Sequence, residues 1–176
     1  IRKGRYKGTP KSNNNNQYAD NLLQQDFYAD YPNQKWVSDI TEMKIKAKKL
    51  YLAVIIDLYS RKVIGWSMSS RMQAKLVCNS LHMAMHNKGY PSGVILHSDR
   101  GSQYCSRDYQ KLIRMYGLQY SMSAKGCCYD NAACESFFAT LKTELIYERV
   151  FVDREAAKTA IFSYIEAYYN RVRLHS

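Results

Sequence analysis

Three runs rich in Val, Ile, Trp and Tyr, at residues 36–45, 50–58 and 62–69, follow one another with only short polar breaks between them. Breaks this short leave no room for a helical crossover, so the runs read as three strands of an antiparallel meander. Residues 73–87 then place Val77, Leu81, Ala84 and Met85 at helical spacing, and Gly89-Tyr90-Pro91 stops that helix before an aliphatic strand at 93–98. A helix at 106–116 and a strand at 118–122 follow. Asp130 or Asn131 is placed to cap a helix running to about residue 148, with Cys134, Phe137, Leu141 and Leu145 on its apolar face, and residues 154–170 make a last helix. Three antiparallel strands followed by alternating helix and strand predict an α/β fold, a mixed five-stranded sheet flanked by helices.

At 176 residues the chain suits one domain and an arm, a size that buries roughly 70% of its unfolded surface. Its longest apolar run, Leu50 to Ile56, is far short of the roughly 20 residues of a membrane span. We therefore expect a soluble, intracellular-type chain with no membrane partner. Cys78, Cys105, Cys127, Cys128 and Cys134 form no CxxC pair and read as reduced, mostly structural thiols. Net charge is +11, with 16 tyrosines interleaved, which favours a polyanion such as nucleic acid over the alternative of a merely solubilising surface. Residues 1–16 hold Arg2, Lys3, Arg5, Lys7 and Lys11, no acid, and a closing Asn tract. We expect a basic arm and linker at 1–33 and a core at 34–176 that is cut short at its C-terminal end.

Within this frame, Asp39 falls in the first strand, Asp99 ends the fourth, and Glu135 sits near the start of the helix after Gly126. An aliphatic strand that stops at an acid followed by Arg100 and Gly101 carries that acid to the rim of a sheet, where ligands gather. Lys142, seven residues after Glu135, is about 20° from it around a helix axis, so the two share a face. No G-x-S-x-G and no Gly-Lys-Ser/Thr phosphate loop occurs. His97, Ser98 and Asp99 are adjacent along a strand and so cannot form a hydrolytic triad among themselves.

Asp99 and Glu135 are separated by 35 residues, and the motifs around them occur in a specific order. They are Trp36-Val37-Ser38-Asp39-Ile40-Thr41, Ile56-Asp57-Leu58-Tyr59-Ser60-Arg61, Val63-Ile64-Gly65-Trp66, and His97-Ser98-Asp99-Arg100-Gly101-Ser102-Gln103-Tyr104. Tyr129-Asp130-Asn131-Ala132 with Glu135-Ser136-Phe137-Phe138, and Tyr169-Asn170-Arg171-Val172-Arg173-Leu174-His175-Ser176, complete the set. From Pro32 to Ser176 the chain resembles the catalytic domain of bacterial insertion-sequence transposases of the retroviral-integrase superfamily, the DDE transposases. It departs from their pattern at Thr41-Glu42-Met43 and at Cys127-Cys128. The resemblance implies an RNase H-like fold, with Asp39, Asp99 and Glu135 as a catalytic triad that binds Mg²⁺ or Mn²⁺, two ions in all. It also implies action on terminal inverted repeats and target DNA, assembly of a homo-oligomer on DNA, and a bacterial, cytoplasmic, nucleoid-associated protein. Lys142 matches the basic residue two turns after the family's Glu, and Arg100, Gln103 and Lys125 join it as expected DNA contacts.

Carboxylates suit this chemistry. In-line displacement at phosphorus uses one ion to activate the attacking oxygen and another to stabilise the leaving one, and hard cations take oxygen ligands. Other readings stand beside this one. Taken without the motif order, Asp99 reads as a turn-forming Asp, Asp39 as a partner for Lys44 or Lys46, and Glu135 as a residue favouring the positive end of its helix, readings that leave the 35-residue spacing unexplained. Asp57 is expected to form a structural ion pair with Arg61, Asp130 to serve as a helix cap, and Lys142 could be simply solvated. For the whole chain, a catalytically silent DNA-binding or assembly fragment and a nuclease that only hydrolyses remain the alternatives.

Overall fold

A computed structural model describes residues 18–123 and 131–172. The strands are β1 (Lys35–Ile45), β2 (Lys48–Asp57), β3 (Val63–Ser69), β4 (Ile95–Ser98) and β5 (Gln119–Met122). The helices are α1 (Ala74–Asn87), α2 (Arg107–Met115), α3 (Ala132–Leu141) and α4 (Arg154–Ser163). Helix α3 runs on through a π-helical turn at Lys142–Ile146, and α4 through another at Tyr164–Tyr169. The sheet order is β3-β2-β1-β4-β5. β1, β2 and β3 pair antiparallel, while β1–β4 and β4–β5 pair parallel, as expected for strands whose connections are α1 and α2.

Alternation along the strands divides the core in two. Val37, Met43, Leu52, Val54 and Ile56 pack with Cys134, Phe137, Leu141, Ile161 and Ile165 of α3, α4 and the π-turn that follows α4. On the opposite face Trp36, Ala53, Ile55 and Leu96 pack with Val77, Leu81, Met85, Tyr109 and Ile113 of α1 and α2. With helices on both faces, β2 is buried throughout its second half, and this is why it reads as a near-continuous apolar run rather than an alternating one. Helix α1 lies very close to β3: a Cβ on Gly65 would collide with the Ser80 carbonyl oxygen.

Both sheet edges are covered by segments distant in sequence. Asn170 serves the edge of β3 like an extra strand residue, its Oδ1 accepting from Val63 N at 3.0 Å and its Nδ2 donating to Val63 O at 2.8 Å. At β5, Met122 N donates to Asp20 O, and Ser121 Oγ accepts from Leu22 N and Leu23 N. Residues 18–33, placed in the linker by their sequence, thus meet the sheet, and Leu23 (1% exposed) and Ala29 enter the core. Isolated apolar residues without a period carry no local signal, so this docking depends on the edge they cover.

Two local expectations change. Asp57 makes no ion pair with Arg61 among the described residues; its buried carboxylate accepts from Asn33 N at 3.2 Å, Ser60 N at 3.3 Å and Ser60 Oγ at 2.7 Å. Nearby turn donors satisfy it without ordering a long arginine side chain. Asn131 occupies the position before α3, but its side chain makes no cap there. Asp130 lies outside the described residues. Cys78, Cys105 and Cys134 are buried free thiols, and Cys127 and Cys128 also fall outside. Among the described residues, no helix is long and apolar enough to cross a membrane.

Candidate active site

Parallel pairing of β1 with β4 sets Val37 opposite His97. Asp39 and Asp99 each follow two residues after this last pair, on neighbouring strands, and the charge of Asp99 acts on Asp39. Glu135 arrives from the other side of the sequence, and the means is Asn131: its Nδ2 donates to the carbonyl oxygen of Ser38 at 3.2 Å. That bond ties the start of α3 to β1 one residue before Asp39. Glu135 then lies one helical turn beyond the tie, in the first turn of α3 and exposed.

Electrostatics report the same convergence. Burial pushes the Asp39 carboxyl up from its ordinary 3.8 to about 7; the Ile40 N–H, bonded to its Oδ1 at 2.8 Å, acts against this, and the charges of Asp99 and Glu135 add to the rise. The Cys134 thiol is pushed up by its burial and then by Asp39 and Glu135. Negative charge therefore accumulates at one place on the sheet rim, a demand that a cation meets. Among the described residues, however, no three His, Cys, Asp or Glu side chains form a ready-made metal cage. The arrangement is an open set of hard oxygen donors on three separate elements, which suits an ion that keeps several waters.

The other expected site residues are placed as follows. Asp99 is exposed, and its Oδ1 accepts from Gly101 N at 2.8 Å, so it is also the turn-forming residue its sequence allows. A Cβ at Gly101 would stand 2.9 Å from that Oδ1. Arg100 lies exposed beside Asp99 with its guanidinium 4.6 Å from the centre of the Tyr18 ring. Gln103 donates from Nε2 to Met72 O at 3.3 Å, joining this loop to the one before α1. Lys142 is half-buried where α3 passes into its π-turn, close enough to Glu42 to help hold that carboxyl low, after the larger effect of the Lys49 hydrogen bond. Lys49 pairs with Glu42 at 3.0 Å across the hairpin; neither Lys44 nor Lys46 pairs with Asp39 among the described residues. Lys125 lies outside the described residues.

Asn131 is the site residue that sequence reasoning assigned to another task. Its type and position suit a cap, and nothing local indicates that its partner is a strand carbonyl 93 residues away.

Models of the integrase core domain match the chain over residues 29–128 and 135–176. The transposase InsF of insertion sequence IS3A from Escherichia coli strain K12 is 56% identical over 158 residues, covering 90% of this chain and 55% of that protein. The transposase of insertion sequence element IS904 from Lactococcus lactis is 51% identical over 156 residues, covering 89% of this chain and 62% of that protein. The chain thus spans little more than half the length of these curated relatives. Among solved structures, the HTLV-2 integrase catalytic core domain in complex with magnesium superposes with a TM-score of 0.62 at 19% identity, over 82% of this chain and 91% of that one. The Mos1 transposase catalytic domain, solved with raltegravir and Mn, gives 0.64 at 15% identity, over 78% of this chain and 72% of that one. The fold is RNase H-like.

Proposed function

This chain belongs to the integrase core domain family, and on that premise we propose that it is the DDE catalytic core of a bacterial insertion-sequence transposase, cleaving DNA at element ends and joining the 3′-hydroxyl to target DNA. The observation that carries the reading is the bond by which Asn131 ties the start of α3, and with it Glu135, to β1 beside Asp39. The pairing of β4 beside β1, leading to Asp99, supports the same grouping.

Asp39, Asp99 and Glu135 would hold Mg²⁺ or Mn²⁺, as a pair of ions. When bound, these ions supply charge neutralisation at the phosphate and activation of the attacking oxygen. The chain's own residues orient the reaction. The Ile40 N–H holds one Asp39 oxygen, the Gly101 N–H holds one Asp99 oxygen, and Lys142, with Arg100, Gln103 and Lys125, provides positive or polar contacts for the DNA backbone. Terminal inverted repeats and target DNA are the proposed substrates, bound by a homo-oligomer assembled on DNA in the bacterial cytoplasm, at the nucleoid.

The test uses the full-length protein that carries this chain, with a pre-nicked duplex ending in the element's terminal repeat. Strand-joined product is expected with Mg²⁺ or Mn²⁺ and none with EDTA; Ca²⁺, larger and more loosely coordinated, should support binding alone. Turnover in EDTA would refute the metal mechanism, and hydrolysis without joining would favour the nuclease reading.

Gly101→Ala offers a finer check. The new methyl group would press on Asp99 Oδ1 and must push the carboxylate out of place or weaken its bond to the loop. Cleavage is expected to fall about tenfold or more, since a shift of about 1 Å at a reacting centre can cost a hundredfold, while the melting temperature changes little. Initial nicking rates set beside a thermal melt would decide it; an unchanged rate would mean that the loop adapts.

A further inference from the structure

Each aspartate that β1 and β4 carry to the rim follows a serine, Ser38 before Asp39 and Ser98 before Asp99. Neighbouring strand residues point to opposite faces, so along β1 the serine is directed away from the acid, toward the face covered by α1 and α2. Both serines are fully buried, and each meets a tyrosine hydroxyl. Ser38 Oγ lies 2.9 Å from Tyr104 Oη. Ser98 Oγ lies 3.1 Å from Tyr120 Oη and 2.9 Å from the Asp99 carbonyl oxygen, two acceptors that share its single proton. The two tyrosines are themselves joined, since Tyr120 Oη donates to the backbone carbonyl of Tyr104 at 3.0 Å. Tyr109 packs edge-on between them, with ring centroids at 5.3 Å and 5.9 Å.

We infer that Tyr104 and Tyr120 are positioning residues: the Tyr104 hydroxyl holds Ser38, the Tyr120 hydroxyl accepts from Ser98 while donating to the Tyr104 backbone, and together they set the separation of Asp39 and Asp99 from the far side of the sheet. The geometry is specific for this role. The Asp39–Asp99 pair lies beyond the last paired residues of β1 and β4, Val37 and His97, so the ladder itself no longer sets its spacing. The first residues past that point are Ser38 and Ser98, where the tyrosines take hold. Tyr104 is buried, at 1% exposure, and it stands in the turn after Gly101, its N–H donating to the Gly101 carbonyl at 3.0 Å. The loop that orients Asp99 and the hydroxyl that holds Ser38 are therefore parts of one turn. Tyr109 supplies the contrast: its buried hydroxyl approaches Ser38 without completing a hydrogen bond.

This inference rests on the proposed metal-binding role of the triad, and its test separates the two. Mn²⁺ affinity of the 176-residue chain is measured by electron paramagnetic resonance for the native protein and for Asp99→Asn, Tyr104→Phe, Tyr120→Phe, Tyr109→Phe and Ser38→Ala, each with a thermal melt. Loss of one hydrogen bond, about 1 kcal/mol, corresponds to roughly a fivefold weakening. Tyr104→Phe and Tyr120→Phe are each expected to weaken Mn²⁺ binding by about that factor, Tyr109→Phe not at all. In the Ser38→Ala background, Tyr104→Phe should have no further effect, because its route to Asp39 is already cut. A merely structural role would lower the melting temperature and leave affinity unmoved. Native binding with unchanged affinity in both Tyr→Phe variants would overturn the positioning role alone. A native chain whose Mn²⁺ binding is absent, or is unaffected by Asp99→Asn, would overturn the metal site and this inference with it.

Discussion

Asp39→Asn is expected to abolish metal-dependent strand cleavage, by at least about a thousandfold, while raising the melting temperature of the metal-free protein. The first effect follows from removing a charged oxygen ligand where the ions contribute several kcal/mol to transition-state stabilisation. The second follows from the environment of Asp39. Burial, with Asp99 and Glu135 adding to it, pushes the carboxyl up to about 7 against an ordinary 3.8. Between those values the folded state holds a proton that the unfolded state has released, so stability falls as pH rises through this window and the cost is complete above about pH 7. The full displacement corresponds to at most about 4 kcal/mol, and partial exposure to solvent reduces it. Asparagine keeps an oxygen for the Ile40 N–H, so a gain of about 1–2 kcal/mol, or roughly 2–8 °C, is expected at pH 8 and none near pH 4. Asp99→Asn and Glu135→Gln should match the loss of cleavage without loss of stability, each removing one of the charges that oppose Asp39. Nicking assays beside thermal melts at pH 4, 6 and 8 check all three. A variant that cleaves like the native protein would remove that residue from the site, and an Asp39→Asn protein less stable at pH 8 would refute the electrostatic account.

Gly65→Ala should produce the largest loss of stability from the smallest change. Its Cβ would collide with the Ser80 carbonyl oxygen and stand 2.7 Å from both N and Cβ of Ala84. The first two of these are backbone atoms inside a helix, and they cannot rotate away. Relief requires lifting α1 off the sheet, which opens the contact of Val77, Leu81 and Met85 with Ile55 and Leu96. Overpacking commonly costs about 1–3 kcal/mol and sometimes more; with the helix backbone obstructing, about 3 kcal/mol or more is expected, or a fall of roughly 6–12 °C. Denaturant unfolding would measure it. A loss under about 1 kcal/mol would show that α1 can slide to accommodate a methyl group.

Local pattern was enough to mark the secondary-structure elements and the candidate site residues. Runs rich in Val, Ile, Trp and Tyr between short polar breaks set the strands, and near-3.6 spacings the helices, close to their observed bounds, because both signals are local. The aliphatic run into Asp99 and the spacing to Glu135 marked the acids, and the order of motifs marked the family. How distant residues meet was set by the assembled fold. Asn131 reads as a cap but bonds to the Ser38 carbonyl. Asp57 reads as a partner for Arg61 but closes a turn with Ser60 and Asn33. Asn170, one helix residue among many, completes the edge of β3, and Leu23 leaves the expected linker for the core. Each of these outcomes depends on which backbone groups the assembled sheet leaves unpaired and which strands become neighbours. The approach of Asp39 and Asp99 has the same origin, for it needs β4 to pair beside β1, a choice made by the packed core and not by the local pattern of either strand.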